Sequence, residues 1–342
     1  MDQRVTLKEL ARLLNVSIST VSKALNDSPE ISPQTRKRVK ELAALNHYVP
    51  NMLAQNLKTK HTRTIGVIIP AILPHFFAEA LHGIETKASE LGYRIIICIS
   101  NESIQKEAES VQTLIKGQVD GLIMSLSQET QAKTEIGHLQ PIFSHKVPLV
   151  LFDRVLNQIE CDKVHINDSL QAEQATMALF NSGCKKIAYF SGISDTSVDD
   201  ERKKGYLEAV KNLGGSRKVV KFDPRDFPDE KLKKLIETRK IDGILASDEL
   251  SAILVMKSAL NSGFEIPEDL SVIGFTNGIM SEHFRPSLST VDQHAEQQGK
   301  LALETMVDRI EGKLPEEYVE YKLETSIIHR KSTRGKVPQL TD

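Results

Sequence analysis

Ile18, Ser19, Ser22 and Lys23 are spaced to share the outward face of one short helix whose Val21 and Ala24 turn inward. That face suits base edges in the major groove of a DNA duplex. An ammonium can donate to guanine O6 and N7, hydroxyls serve as donor or acceptor, and an isoleucine tip can touch a thymine methyl. Leu7, Ser17, Thr20 and Asn26 complete the DNA-binding candidates of these helices, while Thr35, Arg36 and Tyr48 are placed for phosphate contacts. The plainer alternative for this stretch is a three-helix bundle with a polar face.

Three helices must position those side chains. Thr6-Leu7-Lys8-Glu9 is a capping box, and Leu7, Leu10, Ala11 and Leu14 follow it as one apolar stripe. Asn15 falls where a tight turn needs a left-handed backbone. Ser17 then caps the second helix, and Ser32-Pro33 opens a third, whose Val39, Leu42 and Ala43 close a small core. In the stretch that follows, Tyr48 to Lys60, Pro50 stops the preceding element and Asn51 can cap a short helix. A helix of about eight residues is below the ~12–15 that are marginal alone in water, so order here is expected to come from a partner. Small Ala54 and apolar Leu57 would let such a helix wedge a side chain between base steps of the minor groove. A plain interdomain linker is the alternative.

The charge distribution agrees. Residues 1–62 hold ten Lys/Arg against five Asp/Glu, while the 342-residue chain carries −2 overall, so the remainder is acidic by seven charges. A basic end on an acidic body fits a phosphate-binding module joined to a receptor. Cys98, Cys161 and Cys184 are odd in number and far apart, which points to neither a disulfide framework nor a zinc site; Cys98, in an apolar run, is expected to be buried. No metal and no cofactor are expected. The polar N-terminus and the lack of any ~18-residue apolar run predict a cytoplasmic protein with no membrane partner.

From Thr64 the chain alternates apolar strands (65–70, 93–99, 121–124, 148–152, 186–190, 243–246, 271–275) with amphipathic helices, near 76–91, 169–182, 199–212, 229–239 and 249–262. Continuous apolar strands between helices imply parallel sheets covered on both faces, here two doubly wound units of about six strands. Ligands in such units bind beyond the carboxyl ends of the strands. Those ends read Pro74-His75-Phe76-Phe77, Asp153-Arg154, Asn167-Asp168, Ser191-Gly192, Ser247-Asp248 and Thr276-Asn277. Aromatics, carboxylates and amides suit a polyhydroxylated ligand, although Asn167, Asp168 and Asp248 read equally well as helix caps. His75 and His165 are expected as polar pocket rims. Asp153 and Asp248 could be taken for paired catalytic carboxylates, but no phosphate-binding glycine loop, nucleophile elbow or zinc-hydrolase motif is present, and no catalytic residue is assigned.

The headpiece resembles that of the lactose-repressor/galactose-repressor (LacI/GalR) family of bacterial transcription regulators. The matching text is Val5-Thr6-Leu7, Asn15-Val16-Ser17, Ser19-Thr20-Val21-Ser22-Lys23, Leu25-Asn26, Thr35-Arg36, Val39 and Tyr48-Val49-Pro50-Asn51 with Ala54 and Leu57. The resemblance implies base reading by Ile18, Ser19 and Lys23, and minor-groove intercalation by Leu57 with its twin in a dimer. Lys23 stands where the family often has Arg. The resemblance continues through Phe76-Phe77, through Arg202-Lys203-Lys204-Gly205-Tyr206, and through Asp248, Pro267 to Phe275 and Pro286 to Val291. It implies an α/β fold class: an N-terminal all-α helix-turn-helix headpiece plus a periplasmic-binding-protein-like body of two doubly wound parallel-sheet subdomains. The implied domains are 1–50 (headpiece), 51–62 (hinge helix and linker) and 63–342 (effector-binding and dimerisation body). Within the body, subdomain one spans about 63–163 and 291–324, and subdomain two about 164–290 and 325–342. The expected effector residues are then Phe76, Arg202 and Asp248 by the resemblance, with Asp153, Thr276 and Asn277 from the strand ends; Thr276-Asn277 stands where the family usually has Asp. The implied function is a repressor on a pseudo-palindromic operator, gated by a small carbohydrate-like effector and acting as a homodimer. The short polar tail 331–342 favours a dimer over a tetramer. A cytosolic solute receptor and a sugar-acting enzyme are the alternatives.

Overall fold

A computed structural model describes residues 5–46, 48 and 61–335. The chain divides into two compact units, residues 1–62 and 63–342.

Among the described residues the first unit holds three helices: α1 (Leu7–Leu14), α2 (Ile18–Leu25) and α3 (Pro33–Leu45). Local chemistry sets their ends. The Thr6 hydroxyl accepts from the Glu9 amide at 3.3 Å, and the Glu9 carboxylate accepts from the Thr6 amide at 2.7 Å. Asn15 ends α1 at φ 54°, the left-handed conformation that Asn tolerates. Ser17 and Ser32 cap α2 and α3 by accepting from the amides of Thr20 and Thr35. Leu10, Ala11, Val21, Ala24, Val39 and Ala43 are buried together as the core.

The second unit runs β1 (Thr64–Ile69), α4 (His75–Leu91), β2 (Arg94–Ile99), α5 (Ile104–Lys116), β3 (Gly121–Met124), α6 (Gln128–Lys133), α7 (Gln140–Ser144), β4 (Leu149–Phe152), β5 (Asp162–Ile166) and α8 (Asp168–Asn181). It continues with β6 (Ile187–Ser191), α9 (Ser197–Asn212), β7 (Val219–Lys221), α10 (Asp229–Glu237), β8 (Gly243–Ala246), α11 (Glu249–Asn261), β9 (Ser271–Phe275), α12 (Ile279–His283), β10 (Ser289–Asp292), α13 (Ala295–Ile310), β11 (Glu320–Leu323) and β12 (Ser326–Ile328). Two six-stranded sheets result, in the orders β11-β5-β4-β3-β1-β2 and β12-β10-β9-β8-β6-β7. Every pairing is parallel except β10 with β12. Each sheet is covered on both faces by helices, giving two apolar clusters per lobe. This is the fold class that the alternation of strands and helices predicts.

Three segments cross between the lobes, two of them slightly later than the sequence suggests. The expected crossover near 163 falls at residue 167, because β5 pairs with β4 and β11 in the first sheet. The one expected near 290 falls at 293–294, because β10 pairs with β9 in the second. The third lies between Leu323 and Ser326. Alternating burial along β5 (Asp162, Val164 and Ile166 in, Lys163 and His165 partly out) hides it from a search for apolar runs. Cys98 is also not the buried thiol expected. It is half-buried, because β2 is an edge strand whose Ile96 and Ile97 are 45% and 43% exposed. Cys161 and Cys184 are buried and free.

Candidate functional site

In the first unit, α2 presents the side chains that could read a groove. Ile18 is 49% exposed, and Ser17, Ser19, Lys23 and Asn26 are exposed while Val21 and Ala24 are buried. Ser22 and Thr20 are half-buried; Thr20 shares its hydroxyl with Ser17 at 2.8 Å, and the Ser22 carbonyl accepts from the Asn26 amide at 2.9 Å. Lys23 ion-pairs with Glu30. Both groups are exposed, so the pair is weak and open to exchange for another anion. Leu7 and Tyr48 are half-buried against the small core, and the Thr35 hydroxyl lies 2.9 Å from that of Ser32. Asn51, Ala54 and Leu57 lie outside the described residues.

In the second unit, the carboxyl ends of the strands meet a cavity of about 650 Å³. Asp153, directly after β4, lines it together with Asn167 and Asp168 after β5 and Ser197 at the start of α9. His165 is on its wall, held between the Ile166 carbonyl at 2.8 Å and Glu320 at 2.7 Å. Asp153 has left-handed backbone (φ 59°) and is 8% exposed. Burial pushes its carboxyl up from 3.8 to about 7, against the pull of Arg154 and Arg202. Arg154 points away, paired with Glu102 at 2.7 Å and lying over the Phe77 ring.

Arg202 is 2% exposed and does not line this cavity. Its Nε donates to Asp168 at 2.7 Å, its Nη1 donates to the Ser247 carbonyl at 2.6 Å, and its guanidinium lies 4.0 Å over the Phe275 ring. Arg202 therefore ties α9 to α8 and to the ends of β8 and β9. Asp248 caps α11, accepting from the Ser251 amide. Thr276, at φ 77°, donates to the Gln293 side chain at 2.7 Å, and Asn277 accepts from Arg330 at 2.6 Å. Thr276 and Asn277 line a separate depression of about 200 Å³, with His75 and His294. Phe76 is buried in the core of the first lobe, edge-on to Phe77 at 5.3 Å. Of the six expected effector residues, then, Asp153 faces the larger cavity and Thr276 and Asn277 the smaller, while Phe76, Arg202 and Asp248 line neither.

The sequence reading missed Gln128 and Gln131 on α6. The Gln128 side chain donates to the Ser194 carbonyl at 2.6 Å, and the Gln131 side-chain Oε1 accepts from the Ser197 amide at 2.8 Å, so α6 of one lobe grips the entrance to α9 of the other. Buried Glu107 holds α6 in place, accepting from the Ser127 amide and the Thr130 hydroxyl, each at 2.7 Å. The end of β3 was the one to inspect, by the same strand-end rule that found Asp153.

A compact three-helix reader and a two-lobed α/β receptor body in one chain define a DNA-binding transcription regulator. Comparison with known proteins agrees. Residues 6–51 match the model of bacterial regulatory proteins of the lacI family, and residues 176–333 match that of the periplasmic binding protein-like domain. The ribose operon repressor of Haemophilus influenzae is 30% identical over 338 residues, covering 96% of this chain and 98% of that one. Among solved structures, the lac repressor dimer bound to operator and the anti-inducer ONPF gives a TM-score of 0.84 at 20% identity, over 97% of this chain and 100% of that one. The transcriptional regulator CelR in complex with cellobiose gives 0.69 at 26% identity, over 96% of this chain and 100% of that one. The chain belongs to the lacI family of bacterial regulatory proteins.

Proposed function

We propose that this protein is a cytoplasmic repressor that works as a homodimer on a pseudo-palindromic operator and is gated by a small polyhydroxylated effector. It acts by binding, without catalytic turnover. The observation that carries this reading is the coexistence of an exposed, correctly capped α2 face in the first unit with a 650 Å³ polar cavity at the strand ends of the second. Residues 1–50 are the reader, 51–62 the hinge and 63–342 the effector and dimerisation body. Ile18, Ser19, Ser22 and Lys23 read bases, Ser17, Thr20, Asn26, Thr35, Tyr48 and Leu7 position the reader, and Asn51, Ala54 and Leu57 form a hinge helix in the minor groove.

Several facts support the parts. A ribose repressor and a cellobiose-bound regulator among its relatives favour a sugar. The exposed apolar Ile96, Ile97, Ile279 and Met280 favour pairing of bodies, which would cover them. Among the described residues no helix is long and apolar enough to cross a membrane, and a DNA reader works where the DNA is. Effector bound between the lobes changes how they close, and so the spacing of the paired hinges. Asp153 is the direct contact in this scheme. Arg202, Asp248, Thr276, Asn277 and Phe76 form the frame that effector-driven closure can recruit. Selection of the full-length protein on random duplexes tests the reading. Enrichment of a symmetric site with salt-sensitive affinity is expected, and equal affinity for all duplexes, with or without metabolite extract, would reject it.

A further inference from the structure

The wall of the larger cavity is markedly short of uncommitted cations. Asp168 is satisfied by Arg202 at 2.7 Å and Asp195 by Lys221 at 3.1 Å, while Glu320 takes both His165 at 2.7 Å and Lys322 at 3.1 Å. Lys322, the one lysine among the described residues of the wall, shares Glu320 with His165 in an exposed and therefore weak pair. Asp153 differs from its acidic neighbours. It is 8% exposed, faces the cavity, and its carboxylate has no hydrogen bond or ion pair to any described residue. A buried carboxylate left in that state is costly, and a ligand that supplies its partner recovers the cost on binding.

We propose that the effector is a polyol carrying a protonated amine, of the amino-sugar or amino-alditol class, whose ammonium sits against Asp153. This rests on the reading of the cavity as the effector site. An ammonium gives Asp153 charge-assisted hydrogen bonds, roughly twice as strong as those of a neutral hydroxyl. The remaining wall, with Asn157 and Asn167, offers side-chain amides to the ligand's hydroxyls. A phosphate or carboxylate would meet a wall dominated by carboxylates, with Lys322 its single lysine and already shared with Glu320, so the site disfavours sugar phosphates and sugar acids. The upward displacement of the Asp153 carboxyl by burial agrees, because a cation is what would restore its ionised form. At pH 7, where that carboxyl is partly protonated, amine binding therefore releases protons from Asp153.

The test is titration calorimetry on the full-length protein at pH 7. The probes are hexosamines and amino-alditols, the parent hexoses, the N-acetyl-hexosamines and the hexose 6-phosphates. At least one amine is expected to bind tenfold or more tighter than its uncharged parent, with proton release revealed by buffers of different ionisation enthalpy. Asp153→Asn is expected to erase that preference while circular dichroism stays unchanged. Equal or tighter binding of the parent hexose, binding of a phosphate, or a preference that survives Asp153→Asn overturns the proposal. A neutral sugar whose binding is weakened by Asp153→Asn would sink the amine but leave the effector cavity standing. If no probe of any class binds, both fall.

Discussion

At the scale of single residues, Asp153 and Arg202 illustrate what spacing can and cannot reveal. Both follow from strand-end and motif positions, yet only the structure separates their duties: Asp153 faces open space, while Arg202 is locked between Asp168, Ser247 and Phe275. Asp248 and Phe76 could not be sorted from sequence, because a carboxylate ahead of a helix serves equally as cap or ligand contact and an aromatic equally as core or stacking platform. Asp153 makes a prediction about pH. Its carboxyl titrates near 7 in the folded protein against an ordinary value of 3.8, so between those values the folded state holds a proton that the unfolded chain has lost. Stability therefore falls as pH rises from about 4 to about 7, by at most about 1.4 kcal/mol per pH unit from this group. Asp153→Asn should flatten that slope in urea melts taken across the window; an unaltered slope would mean that Asp153 is not the group responsible. Arg202→Ala strands Asp168 inside the protein and should cost about 3–5 kcal/mol, part of it recovered by adding Asp168→Asn. If it stays folded at low temperature, that variant should keep DNA binding and lose the effector response; a normal response would show that the α8–α9 tie plays no part in gating.

At the scale of elements, close helix crossings explain a motif that looks functional in sequence. Gly205 lies where α9 meets α8, and a Cβ there would stand 1.9 Å from the Ser169 carbonyl oxygen. Tyr206 beside it is fully buried and donates to the Ile187 carbonyl at 3.0 Å. Within Arg202-Lys203-Lys204-Gly205-Tyr206 the arginine holds the cavity-lining Asp168, while the glycine and tyrosine build the scaffold. The first lobe repeats the device, with Gly83 and Gly299 bringing α4 and α13 together backbone to backbone. Gly205→Ala must push the helices apart and should cost about 1–3 kcal/mol or more in chemical denaturation, whereas Gly137→Ala, with nothing within 4 Å of the new methyl, should stay within about 0.5 kcal/mol. Equal effects would contradict the crossing as drawn. The same locality explains which elements could be read. The headpiece was legible because Thr6, Asn15, Ser17 and Ser32 each act within three residues of themselves, and β3, β8 and β9 because they are continuous apolar runs buried on both faces. The strands β5, β11 and β12 carry polar residues and gain their identity from partners distant in the chain. The short helix α6 is hard to read for the same reason, since the partners Ser194 and Ser197 of Gln128 and Gln131 lie 66 residues away.

At the scale of the whole molecule, two kinds of DNA affinity should be separable. The cationic surplus of residues 1–62 supplies attraction to any duplex, which weakens steeply with salt. In the proposed scheme, discrimination between sequences comes from base contacts by α2 and from the cost of deforming the site. In the proposed scheme Leu57 contributes only to the second, by wedging a base step once two hinges meet on one operator. Leu57→Ala removes no charge, so binding to random duplex and its salt slope should persist. Affinity for the selected symmetric site should fall toward the random-duplex value, and effector affinity in the absence of DNA should not move. Coupling between effector and operator, typically worth about 1–3 kcal/mol, must act equally in both directions, so the wild-type protein should bind effector differently when operator is present. In Leu57→Ala that difference should shrink together with the specificity ratio. Fluorescence anisotropy on labelled operator and random duplex at several salt concentrations measures the ratio, and a variant that discriminates as well as the wild type would leave the hinge with no role in recognition and the gating scheme without its link between ligand and DNA.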